Sequence, residues 1–161
     1  MITIKLIGGT IITLCSLKVY IEIQRFHQKK IKQLDSLILL IEYIKNQIEC
    51  YLLPIDKIIE NCNKNLLKNC GIKMEVHNCK RIDEVLNLID FYCNEEAIDI
   101  LFEFAENFGH SYYFEQLKIC EECKNKLIKI KDKTIEQNKK NQKVELAICL
   151  CISFSIIIML I

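Results

Sequence analysis

The sequence predicts an all-α fold, a cytoplasmic helical bundle flanked by N- and C-terminal transmembrane helices. Three observations support this prediction. Uncharged apolar runs lie near both ends of the chain. Between them, apolar residues recur at spacings of three and four, which is the period of an amphipathic helix. Only four glycines and one proline occur in 161 residues, so few positions are marked for tight turns.

The first apolar run predicts an N-terminal transmembrane helix over residues 1–23. From Leu6 to Leu17 there is no charge, and Lys5 and Lys18 flank the run. A helix rises ~1.5 Å per residue and needs about 20 apolar residues to cross a bilayer, so both lysines must reach the interfaces. A cleaved signal peptide is the alternative, but its positive charge precedes the apolar run. Here most of the charge follows the run, which favours a retained anchor.

The second apolar run, Leu146 to Ile161, predicts a C-terminal transmembrane helix over residues 144–161. Basic residues flank both runs on the side that faces the middle of the chain: Arg25, Lys29, Lys30, Lys32, Lys139, Lys140 and Lys143. Because lysine and arginine are retained on the cytoplasmic side, residues 24–143 are predicted to be cytoplasmic, with both termini across the membrane.

The middle of the chain begins with a helix that continues from the N-terminal span, because nothing between Val19 and Leu52 breaks it. Its apolar stripe consists of Leu34, Leu37, Ile41, Ile44 and Ile48. Pro54 suits the first turn of a second helix, which is predicted to end near Asn69 to Gly71. A loop over residues 71–80 follows.

Three further helices complete the predicted bundle. A short third helix contains Val85 to Phe91. Asn94 is a suitable N-cap for a fourth helix, which ends at Gly109. Ser111 is predicted to cap a last long helix that runs into the C-terminal span.

The composition narrows the functional class. A length of 161 residues fits one domain, and 51% hydrophobic with 27% charged residues argues against disorder. A net charge of +1 gives no reason to expect nucleic acid as a partner, because proteins that bind it carry a clear basic excess. A membrane-attached binding module remains the best class.

The ten cysteines are predicted to be free thiols, because disulfide frameworks belong to secreted domains. Cys120 and Cys123 form a Cys-x-x-Cys on a predicted helix. Buried apolar cysteine is the favoured interpretation, since no second pair completes a compact zinc motif. A membrane-bound thiol or metal sensor that uses these two cysteines stays open as the alternative function.

Enzyme motifs are missing from the sequence. There is no glycine-rich phosphate loop, no Gly-x-Ser-x-Gly and no His-Glu-x-x-His. His27, His77 and His110 are far apart along the chain, and each is interpreted as a surface residue. We therefore expect no catalytic residue, no cofactor and no metal.

The whole layout, together with short motifs, resembles the stage III sporulation protein AB family of endospore-forming bacteria. The matching positions are Leu6 and Gly8, Gln33 and Leu34, Ile48 and Pro54, Leu101 and Phe104, and Gly109, Ser111 and Gln116. The chain departs from the family pattern at Gln47 and Cys50, where the family has Glu and Tyr, and at Tyr112, where Asp is frequent. It also departs in its C-terminal helix, where the glycine packing pattern is lost. The resemblance covers essentially the full length.

The resemblance implies a platform similar to the cytoplasmic domains of type II secretion and type IV pilus systems. It implies a place in the apparatus between mother cell and forespore, in the mother-cell membrane around the forespore. The implied partners are a secretion-type ATPase and other membrane subunits, with a homo-oligomer possible.

Four residues in interhelical turns are the predicted structural and interaction determinants: Pro54, Gly109, Ser111 and Gln116. Loops on a rigid scaffold commonly carry recognition, which favours these positions. Gly109→Val is expected to distort the corner between the last two helices. Tyr113 and Phe114, in the same corner, are predicted to be core residues rather than exposed anchors.

Overall fold

A computed structural model describes residues 2–51, 53–72, 79, 81–108 and 112–160, and this part of the chain is helical without a strand. The helices are α1 (Ile2–Tyr51), α2 (Ile55–Glu60), α3 (Lys64–Cys70), α4 (Ile82–Leu86), α5 (Glu95–Asn107) and α6 (Tyr113–Leu160). The all-α prediction is confirmed. The chain divides into two compact units, of which unit 1 comprises residues 1–29 and 134–161, and unit 2 comprises residues 30–133.

Helix α1 supplies the longest buried stripe of unit 2. All five residues of the predicted apolar stripe, from Leu34 to Ile48, are buried. The facing stripe on α6 recurs at spacings of three and four and consists of Cys120, Cys123, Leu127 and Ile130. These stripes belong to one apolar cluster, which side chains from α2 to α5 complete. Burial of aliphatic side chains at this density is the main source of stability in such a unit.

Ion pairs fasten α1 to α6 beside the buried stripes of unit 2. Lys45 Nζ lies 2.7 Å from Glu121 Oε2, and Lys131 Nζ lies 2.9 Å from Asp35 Oδ1. The hydrogen bond from Lys45 lowers the pKa of the Glu121 carboxyl. Both pairs join residues far apart in sequence, so they connect the two helices within unit 2.

The predicted single helix after Pro54 is wrong, because two short helices replace it. Pro54, predicted in the first turn of this helix, stands one position earlier, at the N-cap of α2, and α2 ends at Glu60. Asn63 then caps α3, since its side chain accepts a hydrogen bond of 2.8 Å from Asn65 N. An asparagine side chain competes with the helix for backbone groups, and here Asn63 caps a separate helix, α3, instead of continuing α2. Gly71 ends α3, as predicted.

Gln33 of α1 joins the end of α3 to the segment before α5 through four hydrogen bonds, one to α3 and three to that segment. Its Nε2 donates to Cys70 O at 2.8 Å and to Asp90 O at 2.7 Å. Its Oε1 accepts from Tyr92 N at 2.6 Å and from Cys93 N at 3.2 Å. Both donors and both acceptor sites of the amide are therefore used, and the side chain is only 3% exposed.

The predicted helix from Val85 to Phe91 is too long, because α4 ends at Leu86. Ile89 instead pairs with Ile72 in an isolated antiparallel bridge, and Asp90 N donates to Gly71 O at 3.1 Å. Backbone groups that a longer helix would use are thus taken by tertiary partners. Asn94 stands at the N-cap of α5 as predicted, although its side chain forms no capping hydrogen bond.

In unit 1, α1 and α6 run antiparallel and meet through small and polar residues. Gly9 faces Ile157, and a Cβ added to the glycine would lie 3.7 Å from that side chain. Ser153 Oγ lies 2.6 Å from Ser16 Oγ and is fully buried. Nearer unit 2 in sequence, Glu145 accepts from the side chain of Gln24 at 2.9 Å.

Large apolar side chains point outward from the same helices of unit 1. Those more than 40% exposed are Ile11, Leu14, Leu17, Val19, Ile21, Phe26, Val144, Ile148, Ile152, Phe154, Ile156 and Ile158. A helix pair in water buries such residues and exposes polar ones, so this arrangement is reversed. Within the described part of the chain, one helix, α6, is long enough and apolar enough to cross a membrane.

Candidate interaction site

A cleft in unit 2 brings together two of the predicted determinants, Pro54 and Gln116. Its volume is about 360 Å³. The lining residues are Ile48, Leu53, Pro54, Ile55, Ile58, Arg81, Ile82, Ala105, Phe108 and Gln116. Most of these side chains are aliphatic or aromatic, and Arg81 and Gln116 add polar groups. An apolar pocket with few polar groups is the usual form of a binding site.

The local structure explains why Pro54 and Gln116 meet here. Pro54 adopts φ −68° and ψ 155°, the extended conformation that directs the chain from α1 into α2. Gln116 lies in the first turn of α6, where its N–H donates to Tyr112 O at 3.0 Å. Tyr113 Oη lies 3.4 Å from Glu49 O, so the end of α1 and the start of α6 are neighbours.

Three aromatic side chains are exposed at this end of unit 2. Tyr51 is 66% exposed, Tyr112 is 89% exposed and Phe114 is 81% exposed. The prediction that Phe114 belongs to the core is therefore wrong. Tyr113, in contrast, packs partly against the core. Exposed aromatic rings are enriched in protein interfaces, which marks this end for recognition.

The other two predicted determinants, Gly109 and Ser111, lie outside the described residues. Their roles in ending α5 and capping α6 therefore stay predictions. The described helices end and begin at Asn107 and Tyr113, on either side of these two positions.

Cys120 and Cys123 belong to the buried stripe of α6, so their Cys-x-x-Cys spacing is that of a helix face. Burial raises the pKa of each thiol to about 12. Reactive and metal-bound cysteines are thiolates, a form that requires a lowered pKa of the thiol. In the described residues, no group of three or more potential ligands is arranged around a metal position. The sensor alternative thus gains no support.

His27 lies inside the helix pair of unit 1 rather than on the surface that the sequence predicted. Its Nε2 is 3.1 Å from Glu145 Oε1, and both side chains are 22% exposed. Together with Gln24, these residues form a polar contact between α1 and α6. Sequence periodicity missed this contact because its members are 118 to 121 residues apart.

The contact between Ser16 and Ser153 predicts that cysteines at these two positions form a disulfide. In a background without other cysteines, Ser16→Cys with Ser153→Cys should form a disulfide after mild oxidation, because the two Oγ atoms are 2.6 Å apart. Electrophoresis without reductant should show a faster band. Leu14→Cys with Ser153→Cys is the control, since Leu14 is 66% exposed. Equal cross-linking of the two pairs would contradict the antiparallel contact.

The sequence model of a family described as stage III sporulation protein AB matches residues 5–161, which is nearly the whole chain. No match was found among curated proteins or among solved structures.

Proposed function

This chain belongs to the stage III sporulation protein AB family, and we propose that it is a membrane-anchored platform subunit that docks a secretion-type ATPase. The apparatus is the channel-like assembly between mother cell and forespore, and the chain would lie in the mother-cell membrane. The protein would have no catalytic activity of its own. The observation that carries the proposal is the cleft with exposed aromatic residues at one end of a tightly packed unit 2.

Two membrane spans are part of the proposal. Helix α6 has the length and apolar composition for one span. The outward apolar side chains of α1 in unit 1, such as Ile11 and Leu14, support a second. Lipid around the helix pair would cover these side chains, while the buried Ser16 and Ser153 contact would hold the spans together.

The proposed topology places residues 24–143 in the cytoplasm, because basic residues flank both spans on that side. Gln28 and Lys140 are exposed positions for single-cysteine reporters. An impermeant thiol reagent should label them only after the cells are opened. If the reagent labels both reporter cysteines from outside intact cells, the proposed topology is contradicted.

Rigidity supports a platform role for unit 2. A docking platform must hold its contact surface in one geometry, since ordering a flexible surface on binding costs affinity. The ion pairs from Lys45 to Glu121 and from Lys131 to Asp35 cross between α1 and α6. The four hydrogen bonds of Gln33 connect α1 to the end of α3 and to the segment before α5.

Co-purification tests the docking proposal. Full-length tagged protein, extracted in mild detergent from sporulating cells, should retain the secretion-type ATPase. A chain with Phe114→Ala and Tyr112→Ala should retain less of it, because aromatic anchors contribute much of the energy of an interface. Leu39→Ala is a matched control, since Leu39 is also exposed, at 54%, but lies midway along α1. Failure of the unaltered chain to retain the ATPase would contradict the proposed function.

A further inference from the structure

Three lysines of unit 1 carry positive charge that no neighbouring carboxylate neutralises. Lys29 of α1 and Lys139 and Lys143 of α6 are exposed. Among the described residues, none of the three forms an ion pair. These three residues are termed the basic collar.

The carboxylate side chains of unit 1 are already engaged by other groups. Glu22 lies 2.8 Å from Arg25, and Glu136 lies 2.7 Å from Lys140. Glu145 forms its contacts with polar side chains of α1. The helix pair therefore keeps an excess of positive charge, and this excess is located on the basic collar.

The contact between His27 and Glu145 places the collar at one end of the helix pair. Because a helix rises ~1.5 Å per residue, Lys29 lies ~3 Å from His27 along α1. Lys143 lies ~3 Å and Lys139 ~9 Å from Glu145 along α6. The helices are antiparallel, so all three displacements run the same way, away from the buried serine contact.

The collar lies on the outer surface of the pair, where the exposed apolar side chains end. Residues two positions apart on a helix are ~200° apart, so Lys29 and Lys143 face away from the contact between the helices. Phe26 and Val144, at the same level, are exposed apolar residues. Cations that follow exposed apolar side chains on two helices match the boundary between lipid hydrocarbon and headgroups.

We propose that the basic collar binds the phosphate groups of anionic phospholipids in the cytoplasmic leaflet. The inference rests on the two spans of the proposed function and adds a preference among lipids, which the charge rule for orientation does not contain. A headgroup without its own cation leaves the phosphate charge free to attract lysine. A soluble acidic protein fits the collar less well, because the neighbouring apolar side chains need a lipid covering.

Spin-labelled lipids measure this preference. The full-length chain is reconstituted in phosphatidylcholine bilayers that contain a trace of spin-labelled phosphatidylglycerol or spin-labelled phosphatidylcholine. Electron paramagnetic resonance then gives the fraction of each labelled lipid that the protein immobilises. The unaltered chain should prefer phosphatidylglycerol about two- to fivefold at about 20 mM NaCl. Most of this preference should disappear at about 500 mM NaCl, because salt screens exposed charges.

The collar variant combines Lys29→Gln, Lys139→Gln and Lys143→Gln. Its preference for phosphatidylglycerol should fall below about 1.5-fold at low salt, because the attracting charges are removed. It should still immobilise as much phosphatidylcholine as the unaltered chain, which verifies that the helix pair is inserted. Arginine at the same three positions keeps the charge and should keep the preference.

The matched control combines Lys64→Gln, Lys68→Gln and Lys129→Gln. These lysines are also exposed, and they belong to unit 2 instead of the helix pair of unit 1. The control changes the net charge by the same amount as the collar variant. It should keep the preference of the unaltered chain, since attraction by exposed charges extends only about 10 Å at ordinary salt.

The outcomes separate the lipid preference from the membrane spans. Loss in the collar variant alone, with retention in the arginine variant and the control, supports the inference. A collar variant that keeps the preference overturns it, and so does equal loss in the control. An unaltered chain that immobilises both lipids equally overturns the inference but leaves the two spans intact. An unaltered chain that immobilises neither lipid contradicts the spans and the inference together.

Discussion

Gln33→Leu should destabilise unit 2 by about 3 kcal/mol, because four backbone groups, one buried and three partly buried, lose their hydrogen bonds to the amide. Leucine has a similar size and retains the apolar contacts of the side-chain stem. The carbonyl groups of Cys70 and Asp90, and the N–H groups of Tyr92 and Cys93, would lose their hydrogen bonds to the amide. Each unsatisfied buried group costs about 1–3 kcal/mol, and partial exposure of the segment reduces the sum.

Gln33→Glu is a second variant, which should destabilise unit 2 for a different reason. A carboxylate keeps both acceptor sites for Tyr92 N and Cys93 N but loses the two donors. Its oxygen would then face the carbonyl oxygens of Cys70 and Asp90, at positions that now lie 2.8 and 2.7 Å from the amide nitrogen. Repulsion at these distances should destabilise the unit at neutral pH and relax as the carboxyl group is protonated in acid.

Thermal unfolding of the full-length protein in detergent, followed by circular dichroism, measures both Gln33 variants. Gln47→Leu is the control, because Gln47 is partly exposed on the same helix. It should change the melting temperature by only a few degrees, as is usual for a substitution outside the core. If Gln33→Leu and Gln47→Leu have the same melting temperature, the hydrogen bonds of Gln33 contribute little to stability.

Periodicity predicted the long helices well because their signals are local. The stripe from Leu34 to Ile48 is buried as expected, and nothing between Val19 and Tyr51 interrupts α1. On α6, the buried stripe includes Cys120 and Cys123 as apolar members. The same two residues that suggested a metal motif are therefore explained by the spacing of a helix face.

The short helices were predicted less well because tertiary contacts decide their ends. Nothing near Leu88 in sequence shows that Gln33, more than 50 residues earlier, will bind the backbone at Asp90 and Tyr92. The cleft likewise combines features that are set locally with features that are set by tertiary contacts. Pro54 and Gln116 were predicted from turn chemistry and family resemblance, but the lining of the cleft joins residues from α1, α2, α4, α5 and α6 and becomes visible only after folding.

Gly71→Ala should also destabilise unit 2, by about 2–4 kcal/mol, through backbone strain and a steric clash. Gly71 has φ 101° and ψ 11°, a left-handed conformation that costs little only for glycine. A Cβ at this position would lie 2.7 Å from both Asp90 O and Gln33 Nε2. The first of these atoms is backbone, so either the segment before α5 or the end of α3 must move.

Two comparisons decide which cause dominates at Gly71. Asparagine tolerates the left-handed region better than alanine, so Gly71→Asn should recover stability if backbone strain is the main cost. It carries the same Cβ, so it should be as unstable as Gly71→Ala if the clash with Asp90 O dominates. Gly8→Ala is the matched control, because a Cβ at Gly8 would meet no atom within 4 Å.

The melting temperature of each full-length variant in detergent measures the effect of Gly71, and Gly8→Ala should melt like the unaltered chain. We expect the clash to dominate, since the added Cβ approaches two atoms of one hydrogen bond, from Gln33 Nε2 to Asp90 O. Gly71→Ala combined with Gln33→Leu should then cost less than the sum of the two single changes, because both disrupt the same contact. Full additivity would instead indicate that strain at Gly71 acts independently of Gln33.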